Sequence, residues 1–128
     1  MNSIKIPTWL SHKPIVALDY RNEDALAGAK DARYLSIGRA TWNNKSDFSA
    51  KIFRRVHGRW SRQSEELPLW RVIDLATLVI AVINDYESGL GEEKINPKDY
   101  EILRRFVENN KELYSNKIEK LNNAINRK

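Results

Sequence analysis

From Leu69 to Ile83 the chain sets twelve apolar side chains in fifteen positions, interrupted only by Arg71, Asp74 and Thr77. Pro68 stands just ahead, where the missing N–H of a first helical turn costs nothing. The run is long for a strand and apolar on every side. It therefore reads as a helix, Leu69 to about Asp85, at the centre of a fold with neighbours on several sides. It falls far short of the roughly 20 residues that span a bilayer. The opening stretch, Met1-Asn2-Ser3-Ile4-Lys5-Ile6-Pro7, has no apolar leader segment, so a soluble cytoplasmic protein without membrane contact is expected.

The remaining elements are arranged around that helix. Pro7 and Pro14 keep the first twenty residues from being helical, and Trp9, Leu10, Ile15, Val16 and Leu18 give this arm side chains with which to wrap the core. Asn22 suits the N-cap of a short helix beginning Glu23-Asp24-Ala25. Leu35 and Ile37 alternate, which favours an extended segment from Tyr34 to Trp42, and Asn43-Asn44-Lys45-Ser46-Asp47 is a turn. Ser49 to Val56 and Arg59 to Gln63 flank His57-Gly58 as a small hairpin over residues 49–63. Its register pairs Val56 with Arg59, Arg55 with Trp60 and Phe53 with Arg62.

Ser88-Gly89-Leu90-Gly91 ends the apolar helix, and Asn96-Pro97 starts a second long one. Its stripe is Leu103, Phe106, Val107, Leu113, Tyr114, Ile118, Leu121 and Ile125. Thirty helical residues would measure ~45 Å against a compact diameter of ~36 Å, so a bend or fray is expected at the asparagine pairs. The expected fold is one α+β domain over residues 1–128. It is predominantly α-helical, with a central apolar helix, a small β-hairpin and a long C-terminal helix.

Composition removes several kinds of chemistry. There is no cysteine, which excludes disulfides, thiolate metal sites and cysteine nucleophiles. Two histidines are too few for a transition-metal site, and Asp19, Glu23 and Asp24 lack the spacing of a calcium loop. Gly89-Leu90-Gly91 follows a helix rather than a strand, so it is no phosphate cradle. Neither metal nor cofactor is expected.

Three polar features remain. Arg71 lies near the positive end of its helix dipole and calls for an acidic partner, with Asp74 one turn away and Glu65, Glu66 or Asp19 as the other choices. Removing Asp74 from a buried pair would cost ~3 kcal/mol or more. Ser61, Ser64, Glu65, Glu66, Arg71 and Asp74 could line a polar pocket or satisfy the backbone of a turn. A serine nucleophile there would need a base, and neither His12 nor His57 is placed beside Ser61 or Ser64 by sequence position. Between Arg33 and Arg62 eight cations stand against one acid, Asp47. Arg54, Arg55, Arg59, Trp60 and Arg62 are the candidates for binding nucleic acid or another anion. The competing reading packs arginine stems over rings, Arg55 over Trp60 first.

Trp60-Ser61-Arg62-Gln63-Ser64-Glu65-Glu66-Leu67-Pro68-Leu69, then Arg71 and Asp74-Leu75-Ala76, together with Leu35-Ser36-Ile37-Gly38 and Ser49-Ala50-Lys51 upstream, resembles a family of small uncharacterised bacterial proteins, a domain of unknown function. The resemblance covers Leu35 to Ala76 and leaves the C-terminal helix outside. It implies a bacterial protein and carries over no catalytic residue. The expected function is a non-enzymatic binding or interaction module, with a protein partner or self-association through the C-terminal helix. A nucleic-acid-binding protein using residues 33–62 is the alternative, and a small enzyme with a polar pocket at residues 61–74 the second.

Overall fold

Aliphatic residues alternating with small or polar ones build three long strands: β1, Lys13–Asp19; β2, Ala32–Arg39; and β3, Phe48–Val56. Two short strands, β4 (Arg59–Trp60) and β5 (Leu67–Pro68), both pair with β3 and complete a five-stranded antiparallel sheet in the order β1-β2-β3-β4. The computed structural model describes residues 6–9, 11–20, 32–61 and 65–127. The short helix expected from Glu23, and the pairing of Phe53 with Arg62, lie outside the described residues.

The sheet corrects the expected fold class: the molecule is α+β but not predominantly helical. The hairpin is only one edge of a larger sheet, and the proline-bearing arm is itself a strand. Pro14 is tolerated there because β1 ends the strand order, and the pairing with β2 is irregular between Pro14 and Val16. Gly38 lets β1 approach, since a Cβ at this position would lie 2.0 Å from the Lys13 carbonyl oxygen.

The β3–β4 turn has the expected register, Arg55 opposite Trp60 and Val56 opposite Arg59. His57 and Gly58 both have positive φ, 51° and 75°, the backbone that a two-residue hairpin loop requires. The extended segment expected from Tyr34 to Trp42 overlaps β2, which ends at Arg39. The turn after it contains a short 3-10 stretch, Asn43–Lys45, with two asparagines at positive φ.

Chain contacts divide into two units, Met1–Val72 and Ile73–Lys128, with the boundary inside the helix α1, Leu69–Ile83. The first unit holds the sheet, and its buried residues include Pro7, His12, Ala40, Ser49 and Phe53. In α1 only Ala81 is buried, while Trp70, Ile73, Leu75 and Val79 are exposed. The expectation of a central helix covered on several sides is therefore overturned. Apolar composition set the helix but not its burial.

In the second unit Asn96 caps α2, Pro97–Asn109, by accepting the Asp99 N–H at 3.0 Å, with Pro97 at the first position as expected. The second helix breaks within the Asn109-Asn110 pair, and α3 runs from Lys111 to Ile125. Asn110 turns its side-chain amide back onto the Phe106 carbonyl at 2.9 Å, a local bond that competes with continuing the helix. Arg104 of α2 donates to the Val82 and Ile83 carbonyls at the end of α1, supplying cations and donors where a helix C-terminus lacks both. Among the described residues no helix is long and apolar enough to cross a membrane.

Candidate functional site

One sheet face gathers a buried polar cluster around His12, which is 1% exposed. The residue precedes β1, and the sheet register brings three other segments to it. Gly38 pairs with Ser49, and Ser36 with Lys51, so Ser36 and Ser49 point to the same face from adjacent strands. Glu66 comes in from the residue before β5.

The imidazole Nδ1 lies 2.9 Å from Glu66 Oε1 and 2.9 Å from Ser49 Oγ, and Nε2 lies 3.2 Å from Ser36 Oγ. An ionised carboxylate only accepts, so Nδ1 carries the proton. Ser49 Oγ donates to the same Glu66 oxygen at 3.2 Å. The other oxygen, Oε2, accepts from the Thr41 hydroxyl at 2.5 Å and the Thr41 N–H at 3.2 Å. Ser36 Oγ also sits 2.9 Å from the Lys51 carbonyl oxygen, and its single proton serves either that oxygen or Nε2. Phe53, itself 1% exposed, closes one side with its ring centroid 5.6 Å from that of His12.

Burial lowers the His12 pKa below its ordinary value, and it outweighs the opposing pull of the Glu66 carboxylate. Burial alone would raise Glu66, but the bonds donated by Thr41 and His12 together hold it below the ordinary range. The pair is thus a neutral imidazole donating to a carboxylate. Serine, imidazole and carboxylate follow one another in the order of an acyl-transfer relay. However, Ser36 is only 6% exposed, and its hydroxyl has a carbonyl to serve. The arrangement ties the segment before β1, both central strands and the approach to β5 into one closed network.

Of the polar residues expected to act together, Glu66 alone among the described ones enters this network. Glu65 is exposed, Ser61 is half-buried with its N–H on the Arg54 carbonyl at 2.7 Å, and Ser64 and Arg62 lie outside the described residues. Arg71 and Asp74 are both exposed, so the buried ion pair expected of them is not formed. Arg55 packs over Trp60, 5.3 Å from guanidinium to ring, and Trp60 stands edge-on to Phe53. Arg54 and Arg59 fall on the opposite face, because Arg54 shares strand parity with Val56 and Val56 pairs with Arg59.

His12 was missed because its partners stand 24, 37 and 54 residues away. The available signal was the placing of Ser36 and Ser49 between apolar neighbours on adjacent strands. Among the described residues no group of three or more histidine, aspartate or glutamate side chains is gathered so as to hold a metal ion.

The other sheet face is apolar and open. Val16 and Leu18 of β1, Ile37 of β2, and Phe48 and Ile52 of β3 are between 38% and 61% exposed. They share a face because Val16 pairs with Ile37, Leu18 with Leu35, Leu35 with Ile52 and Ile37 with Ala50. In the second unit an open cavity of about 840 Å³ lies among the end of α1, the following loop and the start of α2. None of Glu65, Glu66, Arg71 and Asp74 lines it.

The model of a family of unknown function, DUF6530, matches residues 4–111, and the chain belongs to that family. The match extends beyond the Leu35 to Ala76 resemblance in both directions and takes in α2, which the resemblance had left out. No curated protein and no solved structure matches the chain. The three stretches that carry the resemblance meet at His12: they contribute Ser36, Ser49 and Glu66, with the Lys51 carbonyl behind Ser36.

Proposed function

We propose that the protein is a non-enzymatic binding module of the bacterial cytoplasm, which engages a protein partner through the open face of its sheet. The observation that carries this reading is the inversion of the sheet. An antiparallel sheet with one solvated face ordinarily turns its aliphatic residues inward and its polar ones outward. Here the inward face holds Ser36, Ser49 and His12 beside Phe53, and the outward face holds Val16, Leu18, Ile37, Phe48 and Ile52. A contiguous exposed apolar patch of this kind is a mark of an interaction site. The closed His12 network, with its serine out of reach, gives less support to an enzyme. The absence of cysteine suits a reducing compartment.

Nucleic-acid binding has less support, because the cations of residues 33–62 are divided between faces, Lys51 and Arg55 on one and Arg54 and Arg59 on the other. Self-association through the C-terminal helix also has less, since Leu113, Tyr114, Ile118 and Leu121 are already half-buried within their own unit. The test is photo-crosslinking in the cell from an unnatural side chain at Ile37, with Glu119 on α3 as the control position. A discrete protein adduct from Ile37 that is lost with Ile52→Glu, in a protein whose circular dichroism is unchanged, is the expected result. Equal adducts from Ile37 and Glu119, or none from Ile37, would overturn the reading.

A further inference from the structure

In the second unit the end of α1, the loop after it and the start of α2 surround the open cavity of about 840 Å³. Leu78 and Val82, four residues apart, line it from one side of α1, and Asp99, Tyr100 and Leu103 from one side of α2. The Tyr100 hydroxyl donates to Asp85 Oδ1 at 2.8 Å, and Glu92 accepts the Ser88 N–H at 2.8 Å together with the Ser88 hydroxyl, so the loop is fastened around the opening. Two carboxylates of the lining are thereby engaged. Three others, those of Glu87, Glu93 and Asp99, accept no hydrogen bond and join no ion pair among the described residues. Among the described residues one cation lines the cavity with them, Lys94, and its ammonium lies over the Tyr100 ring, 4.3 Å from the centroid. This wall therefore already takes an alkylammonium group, one tethered to the loop at its mouth.

The lining limits the ligand. Leu78, Val82 and Leu103 offer apolar surface, Tyr86 and Tyr100 offer rings, and the volume falls within the range of about 300–1,000 Å³ that small molecules occupy. A bare metal ion does not suit it, since among the described residues no three carboxylate or imidazole side chains are gathered so as to hold one. Acidic groups spread along a partly apolar lining match positive charges separated by hydrocarbon. We infer that this cavity binds an aliphatic polyamine, whose methylene chain lies along Leu78, Val82 and Leu103 and whose ammonium groups meet Glu87, Glu93 and Asp99. Lys94 occupies part of the site in the free protein and leaves the Tyr100 ring when the ligand enters. Every residue of the site belongs to the second unit, and the binding requires no partner on the sheet face.

The probe is spermidine, titrated at low salt into the full chain with its methyl groups assigned. Saturable shifts of the Leu78, Val82 and Leu103 methyls are expected, with the buried Ala40 methyl of the first unit unmoved. Glu87→Gln combined with Glu93→Gln should weaken binding about tenfold, the scale of two exposed ion pairs. Lys94→Gln should tighten it about threefold, because it frees the Tyr100 ring and removes a like charge. Magnesium ions at equal total charge are expected to leave the three methyls where they are. Absence of a saturable shift with spermidine, or magnesium reproducing the shifts, would overturn the inference. So would a blocked trilysine peptide that binds more tightly than spermidine, or a Lys94→Gln protein that binds it no more tightly than the parent.

Discussion

At the scale of single residues, His12 and Glu66 determine how the first unit responds to acid. His12 is held below its ordinary pKa of 6.5, so the unfolded chain takes up a proton there that the folded chain resists. Its contribution is therefore complete above about pH 6.5 and is lost as the pH falls through the folded value. Glu66 is held below 4.5 and acts in the same direction at lower pH, its contribution present above that value and lost below it. The urea midpoint of the parent protein is expected to fall between pH 7.5 and 5.5, and that of His12→Asn to stay nearly level; a parent profile that is flat or rises on acidification would contradict the network. The same reasoning separates two carboxylates. Glu66→Ala leaves the His12 Nδ1–H and two hydroxyls without their acceptor and should cost about 3 kcal/mol. Asp74→Ala, at an exposed position, should change stability by no more than about 0.5 kcal/mol. Chemical denaturation of the two variants side by side checks both values.

At the scale of elements, local chemistry was legible and long-range pairing was not. Asn96-Pro97, the two-residue loop at His57-Gly58 and the break at Asn109-Asn110 each depend on residues within a few positions of one another, and each lies where the sequence placed it. Strand β1 depends on a partner more than a dozen residues ahead, and Pro14 within it concealed it. Its clearest trace in the sequence is Gly38, whose missing side chain matters only once β1 is known to lie across it. Gly38→Ala would push a methyl group into the Lys13 carbonyl and the Pro14 Cα, backbone atoms that cannot rotate away. A loss of about 3 kcal/mol or more is expected, the upper range for overpacking. The loss should appear as faster amide exchange in β1 and β2, while α2 and α3 keep their protection. Uniform protection across β1 in Gly38→Ala would show that the close approach does not constrain the sheet.

At the scale of the whole molecule, apolar residues and burial are not aligned as the sequence led one to expect. The helix with the highest apolar content buries one residue, and the sheet turns serines and a histidine inward. The alternation of Leu35 and Ile37 located β2, but alternation alone does not say which face of a sheet is covered. Among the described residues of the polar stretch from Trp60 to Asp74, only Glu66 joins the buried network, where it meets His12. The exposure of the apolar sheet face in the free protein is what everything proposed for it depends on. It is measured by the relaxation that a soluble gadolinium chelate induces in assigned methyl groups, with the buried Ala40 methyl as the internal reference. Strong enhancement at Val16, Leu18, Ile37 and Ile52 with none at Ala40 is the predicted result; Ile37 and Ile52 methyls as protected as Ala40 would contradict it.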